Sequence, residues 1–325
     1  MPHTFVSPWN GETHDHQTRT FLAAAHGQQT DRPPVGAWIH YGSSFWTPEQ
    51  VAEAHLRFYH QYDWDYIKVM DDFRLQVPDG LDEITDPAQL DEVVPDPKAT
   101  LTNLVKQAEV LRIIRAEAPE AAIIDTIFSP VQTLVRALGE TVIDYLAADT
   151  ELAHRTISRV ATALADYAAQ LPDLDVDGLF LAINGASTDS TSFGLSPEQF
   201  TEWISPYDIQ VLQAAEGLVR IGHLHGEGAD PDLLTDYPFE VLNWSDKVSA
   251  PRIPEARQRY GWIPMVGLDE ITSLYWTPSK AREEILQARR AAGDQIIVAP
   301  NCTLHSDGSP LVLRELRESV DLPLG

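Results

Sequence analysis

The amino-acid sequence predicts a (β/α)8 TIM barrel, an α/β fold in which eight parallel strands alternate with helices. Eight short apolar runs alternate with longer amphipathic segments along the 325 residues, a pattern typical of repeated strand–helix units. The runs are continuously apolar, as expected for strands covered on both faces. The sequence contains no glycine-rich turn of the kind that binds dinucleotides or phosphates in open doubly wound sheets. These observations favour the closed barrel.

The eight predicted strands are short runs rich in aliphatic and aromatic residues. In chain order they cover residues 35–41, 66–70, 121–128, 177–183, 218–225, 239–244, 262–268 and 296–300. We refer to them as the first to the eighth run.

Helices are predicted between the runs from their start signals and periodicity. Thr47, Ser196 and Thr277 each stand before a proline, which is the pattern of an N-cap followed by the first helical residue. Apolar residues at helical spacing also predict helices over 98–117, 149–170 and 279–292.

Composition limits the classes of function. At 43% hydrophobic residues the chain has a large core, and we expect a single domain over residues 1–325 with an N-terminal extension of about 17 residues. A net charge of -26 disfavours nucleic acid and anionic membranes as partners. One cysteine, Cys302, excludes an intrachain disulfide, and the first residues lack an apolar signal segment. We expect a cytoplasmic enzyme, monomeric or homodimeric, that acts on a small molecule.

Barrel enzymes carry their chemistry where the strands end, so the polar residues at those positions are the candidate site. We predict Asp71 and Asp72, which follow the second run, as catalytic residues. The predicted substrate-binding residues are His40, Tyr41, Arg74, Ser129, Asn184, Trp244 and Asp246, and the predicted metal ligands are His223, His225 and Cys302.

The metal prediction begins with the spacing of the two histidines. Residues two apart on a strand point to the same side, so His223 and His225 could reach one ion. Cys302, the only thiol, follows the eighth run. From the residues alone other interpretations stay open, since a His-x-His pair is also common among polar core residues and a lone cysteine among apolar core residues.

Several segments, in this order, resemble the superfamily of uroporphyrinogen decarboxylases and cobalamin-linked, coenzyme M type methyltransferases. FLAAAHGQQTDRPPV is similar to the opening helix and Asp-Arg-Pro-Pro entry of these proteins. SPEQFTEWISPY resembles the segment after the fourth strand, VLNWSDK with GLDE resembles the ends of strands six and seven, and VAPNCTLHSDGSP resembles the last strand and loop. The resemblance extends from about residue 18 to the C-terminus and implies the same barrel fold.

In the methyltransferase branch, the resemblance implies a zinc site. Its ligands there are His-x-Cys after strand five and a cysteine after strand eight, which correspond here to His223, His225 and Cys302. His225 stands where that branch has cysteine, and imidazole is also a zinc ligand. The resemblance further implies a corrinoid as a partner or substrate, carried by a corrinoid protein.

Of the residues that are characteristic of the decarboxylase branch, this chain has only the aspartate after strand two, as Asp72 or Asp71. Its arginine loop falls where this chain has no arginine between Arg32 and Arg57, its tyrosine is absent from SPVQTLVRALG, and Cys302 replaces its histidine. A substrate with many carboxylates needs such arginines.

Three functions remain for comparison. The first is a zinc-dependent methyl or alkyl transferase with a thiol or corrinoid partner. The second is a metal-independent decarboxylase or other lyase that uses an aspartate. The third is a non-catalytic barrel that binds a corrinoid or tetrapyrrole.

Overall fold

A computed structural model of the protein describes residues 16–81, 84–96, 102–187 and 193–324. Its parallel strands form one curled sheet in chain order, so each strand lies beside the next. The predicted class, a TIM-barrel-like α/β fold, is confirmed. The seven strands within the described ranges are β1 (Tyr66–Val69), β2 (Ala122–Phe128), β3 (Gly178–Ile183), β4 (Val219–Leu224), β5 (Val241–Trp244), β6 (Ile263–Leu268) and β7 (Ile297–Pro300).

Helices cover the outer face of the sheet. The α-helices are α1 (His16–Ala25), α2 (Pro48–Tyr62), α3 (Leu90–Val93), α4 (Thr102–Glu117), α5 (Pro130–Leu138), α6 (Thr141–Ala148), α7 (Thr150–Ala168), α8 (Pro197–Trp203), α9 (Ser205–Ala214), α10 (Ile253–Tyr260), α11 (Pro278–Ala292) and α12 (Pro310–Ser319). Short 3₁₀ turns cover Pro87–Gln89, Leu171–Leu174, Pro231–Leu234 and Ser273–Tyr275.

The predicted helix starts are confirmed. Thr47 and Ser196 cap α2 and α8, and in both cases the third helical residue is a glutamine whose side chain returns to the cap backbone. Thr277 accepts a hydrogen bond from the backbone N–H of Lys280 at the start of α11. These bonds satisfy amides that the first helical turn leaves unpaired.

Side chains alternate between the inside of the barrel and the helix layer. On β1, Tyr66 belongs to the interior apolar cluster together with Met70, which follows the strand. Ile67 and Val69 belong to the cluster under the helices. Because successive strand residues point to opposite faces, position 68 and position 72 share the inner side with Tyr66 and Met70. The polar residues that follow β1 in the chain continue this alternation.

The first run, residues 35–41, is not a regular strand, and this part of the prediction is wrong. It makes isolated parallel bridges at Val35 and Ile39, to Val298 and Leu304. A ladder needs consecutive backbone pairs, but here the amide of Val35 donates to the Asp65 carboxylate, at 2.8 Å. The run lies beside β7, whose Val298 amide donates to the carbonyl of Pro34. It therefore takes the eighth position of the barrel without forming a full strand.

No helix in the ranges that the structure describes is long and apolar enough to cross a bilayer. Most of the predicted N-terminal extension, residues 1–15, lies outside the described residues.

Gly36 is a position where the fold tolerates no side chain. A Cβ there would lie 2.6 Å from the ring of Tyr66, which is itself 1% exposed. We expect Gly36→Ala to lower the free energy of unfolding by about 1–3 kcal/mol, because the Tyr66 ring must shift within a packed interior. Urea denaturation measures the loss, and in a Tyr66→Leu background it should be smaller. An additive double variant would contradict this explanation.

Candidate active site at the carboxyl ends of the strands

A pocket of about 400 Å³ opens at the carboxyl ends of the strands. Trp38, Phe128 and Phe180 contribute apolar wall. The polar and titratable side chains that line it are His40, Ser44, Lys68, Asp72, Arg74, Thr126, Gln132, Arg136, Asn184, His223, His225, Cys302 and Thr303.

Three predicted metal ligands meet in this pocket. Cys302 Sγ lies 3.5 Å from His223 Nε2 and 3.7 Å from His225 Nδ1. The three ligand atoms all lie within 4.8 Å of one another. A tetrahedral zinc with bonds of about 2.0–2.1 Å to nitrogen and about 2.3 Å to sulfur separates these atoms by about 3.6 Å. The donor set and the two N–S spacings therefore fit a zinc ion with one position open.

Asn243 on β5 orients His223. Its Nδ2 donates to the carbonyls of Met265 and Pro300, at 2.6 and 2.9 Å. The amide oxygen therefore faces His223 Nδ1, 2.6 Å away, which must carry the proton. This leaves Nε2, the nitrogen nearest Cys302, with its lone pair available to a metal. Carbonyl groups of β6 and β7 thus fix Asn243, and Asn243 fixes His223 in the orientation of a metal ligand.

Burial sets the protonation of these side chains. It lowers the pKa of His223 well below its ordinary value and also lowers that of His225. It raises the pKa of the Cys302 thiol to about 11. At neutral pH without metal the cluster consists of two neutral imidazoles and a thiol, and the thiol is the group that must lose a proton to bind zinc.

Asp72 accepts hydrogen bonds from several donors within residues 40–43. His40 Nδ1 lies 2.5 Å from Oδ1, while the Ser43 hydroxyl and the backbone amides of Tyr41 and Ser43 donate to Oδ2. Burial opposes ionisation of Asp72, but the hydrogen bonds from His40 and Ser43 outweigh it and hold its pKa well below the usual range. Asp72 is a carboxylate that fixes the orientation of the half-exposed His40 ring.

Asp71, the other predicted catalytic residue, lies behind the pocket wall. It is 5% exposed and sits 3.8 Å from an Arg136 guanidinium nitrogen. Burial raises its pKa to about 7, although Arg136 acts in the opposite direction. The alternation along β1 turns this side chain toward α5, so it does not share the pocket with Asp72.

Among the predicted substrate-binding residues, His40, Arg74 and Asn184 line the pocket. The other four, Tyr41, Ser129, Trp244 and Asp246, are not among the residues that line this pocket, and their role in substrate binding stays a prediction. Trp244 is fully buried and donates to the carbonyl of Pro251, because Asn243 takes the inward position on β5. Ser129 is buried at the start of α5, Asp246 accepts from Asn301, and the Tyr41 ring packs on His55.

Sequence reasoning missed Lys68, Arg136 and Asn243. Lys68 and Asn243 lie inside strands, not after them, and the search was limited to strand ends. A signal existed for Lys68, since a lysine inside an apolar run, four residues before Asp72, shares its face. Arg136 comes from α5, and its approach to the pocket depends on helix packing that spacing does not show.

The model of the family described as uroporphyrinogen decarboxylase (URO-D) matches residues 16–322. The chain belongs to the uroporphyrinogen decarboxylase family. The expected superfamily is thereby confirmed, and the match extends across all elements from α1 to α12.

Two solved structures share the fold of this uroporphyrinogen decarboxylase family member. A methyltransferase from Methanosarcina mazei superposes with a TM-score of 0.71 at 17% identity, covering 94% of this chain and 98% of the other. A putative vitamin-B12 independent methionine synthase from Listeria monocytogenes gives 0.52 at 14% identity and 84% coverage of each chain. The comparison with curated proteins returned no match. At these identities the likeness concerns the fold.

The network around Asp72 predicts a pH-dependent loss of stability in Asp72→Asn. At pH 7 we expect the variant to lose about 1–3 kcal/mol, because the bonds from His40 and Ser43 are to a charged acceptor. The folded pKa is depressed, so this stabilisation is present above the unfolded value and declines as the pH falls below about 4. Urea denaturation between pH 7 and pH 3 measures it, with the exposed Asp79→Asn as control. A difference from wild type that does not change with pH would contradict the assignment.

Proposed function

We propose that this chain is a zinc-dependent methyl or alkyl transferase that acts on a small molecule. The observation that carries the proposal is the triangle of His223 Nε2, His225 Nδ1 and Cys302 Sγ, whose N–S spacings of 3.5 and 3.7 Å suit tetrahedral zinc. The exposed side of His225 leaves room for a substrate at the open position. The likeness in fold to a methyltransferase agrees with it.

His223, His225 and Cys302 would hold the zinc, which would supply Lewis-acid chemistry that favours the anionic form of a thiol substrate near neutral pH. The proton is then taken by a group of the pocket. His40 suits this role, because Asp72 holds the proton on its Nδ1 and leaves Nε2 as the basic nitrogen. Asn184 lines the same pocket and orients the substrate by hydrogen bonding.

The second substrate of the proposed reaction supplies the methyl or alkyl group, and a corrinoid carried by a separate protein is the candidate. Such a donor is too large to enter a pocket of about 400 Å³ and would have to present its reactive carbon at the mouth. The small acceptor fits inside, since pockets of roughly 300–1,000 Å³ hold ligands of drug size or below.

Removal of the thiol tests the metal site. Cys302→Ser should lose most of the zinc, because serine does not replace a thiolate ligand. Protein purified without chelator and analysed by inductively coupled plasma mass spectrometry should contain about one zinc per wild-type chain. Transfer activity should fall together with zinc content while the circular dichroism spectrum stays unchanged.

His305→Gln is the matched control, since His305 is exposed three residues beyond Cys302 and outside the ligand cluster. It should keep both zinc and activity. The proposal fails if wild-type protein carries no stoichiometric metal and Cys302→Ser is fully active, and a lyase that depends on Asp72 then becomes the better hypothesis.

Uroporphyrinogen should not be decarboxylated at a useful rate, although the chain belongs to the family named for that reaction. The segment between Arg32 and Arg57 offers no arginine for the many substrate carboxylates, and the pocket lies near the small end of ligand sites. The assay is anaerobic incubation with uroporphyrinogen and detection of coproporphyrinogen. Robust turnover that Asp72→Asn abolishes would reverse the order of the two hypotheses.

A further inference from the structure

Lys68 places a buried amino group at the inner wall of the pocket, where burial lowers its pKa to about 7 and a bound anion would favour the ammonium form. It lies on β1, is 3% exposed and lines the cavity below Asp72. Its position inside the barrel follows from the alternation that also turns Tyr66 and Met70 inward. A lysine is rarely buried to this degree without a counter-charge.

The surroundings of Lys68 Nζ are aromatic and neutral. Nζ lies 3.9 Å from the Phe180 ring centroid and 4.6 Å from that of Trp38, and both rings stabilise the cation. Nζ donates hydrogen bonds to Thr126 Oγ1 at 2.8 Å and to the weak acceptor Met70 Sδ at 3.0 Å. Among the residues that the structure describes, no carboxylate lies within 4.0 Å of Nζ. Among the described residues Thr126 Oγ1 is the one strong acceptor for Nζ, so two of the three N–H groups of the ammonium have none.

Most of the other charged side chains that line the pocket are also cationic. Arg74 and Arg136 line the same pocket, and Asp72 is the one carboxylate among the described lining residues. Both oxygens of Asp72 already accept hydrogen bonds, Oδ1 from His40 and Oδ2 from Ser43. The pocket is therefore cationic inside a chain of net charge -26, a local reversal that favours an anionic ligand.

We propose that Lys68 anchors the carboxylate of a small substrate at the inner wall of the pocket, beside the rings of Trp38 and Phe180. The proposal rests on the proposed function for its orientation, since Phe180 also stacks on His223, with ring centroids 5.3 Å apart. A substrate held at Lys68 would direct its other end toward the metal ligands. A carboxylate is favoured over a phosphate, because the described residues around Lys68 Nζ supply one ammonium and no cluster of backbone N–H groups.

The experiment uses the zinc-loaded full chain labelled with ¹³C at the lysine ε-carbons. The chain has five lysines, and the Lys68 resonance is assigned by its loss in Lys68→Met. Butanoate should shift this resonance saturably, while butanamide, which has nearly the same shape without charge, should not shift it at tenfold higher concentration. Inorganic phosphate should shift it less than butanoate.

Lys68→Met should weaken butanoate binding, measured by calorimetry, by about tenfold or more, because a charge-assisted hydrogen bond is lost. Lys106→Met is the matched control: Lys106 is an exposed lysine whose Nζ lies 5.6 Å from the Phe73 ring centroid, outside the pocket. It should bind butanoate as wild type does. If Lys68→Met does not fold, the comparison of butanoate with butanamide on the wild-type chain decides the question.

Cys302→Ser separates this proposal from the zinc proposal. Butanoate that still shifts the Lys68 resonance in this zinc-poor variant supports the anchor even if the zinc hypothesis fails. Butanoate binding that disappears with the zinc would place the anion on the metal and overturn the role of Lys68. Equal binding of butanoate and butanamide, or tighter binding of phosphate, would also overturn it.

Discussion

The strict alternation of side chains along parallel strands is the constraint on which the site depends. On β1 it turns Lys68 and Asp72 toward the pocket and Asp71 toward α5. On β5 it turns Asn243 inward and buries Trp244 among the helices. A shift of one residue in either strand would exchange these roles, and the apolar interior packed around Tyr66 and Met70 prevents that shift.

Hydrogen bonding to backbone groups then gives the polar side chains one orientation each. Asn243 is anchored to carbonyls at Met265 and Pro300 and so determines which nitrogen of His223 faces Cys302. Asp72 accepts hydrogen bonds from the backbone amides of Tyr41 and Ser43, and it is thereby held in position to orient His40. Residues 35–41 make only isolated bridges, and the amide of Val35 donates to the Asp65 carboxylate and not to a neighbouring strand.

The charge inside the pocket has the opposite sign to the net charge of the chain. The acidic excess of the chain, 49 acidic against 23 basic residues, gives no indication of the local field in the pocket. There, Lys68, Arg74 and Arg136 outnumber the single lining carboxylate of Asp72 among the described residues. A low-dielectric wall of Trp38 and Phe180 strengthens the field of Lys68. The negative net charge of the chain therefore does not exclude a small anionic substrate.

The sequence by itself determined the class of fold, seven of the eight strand positions, the capped helix starts and the residues at the strand ends, because these depend on local periodicity and on capping residues. It also determined that His223 and His225 share a side. Only the tertiary structure decided that Cys302 comes within 3.5 Å of His223, since residues 79 positions apart meet only through the curling of the sheet. It also decided the contributions of Lys68, Asn243 and Arg136, because these depend on which strand face and which helix border one pocket.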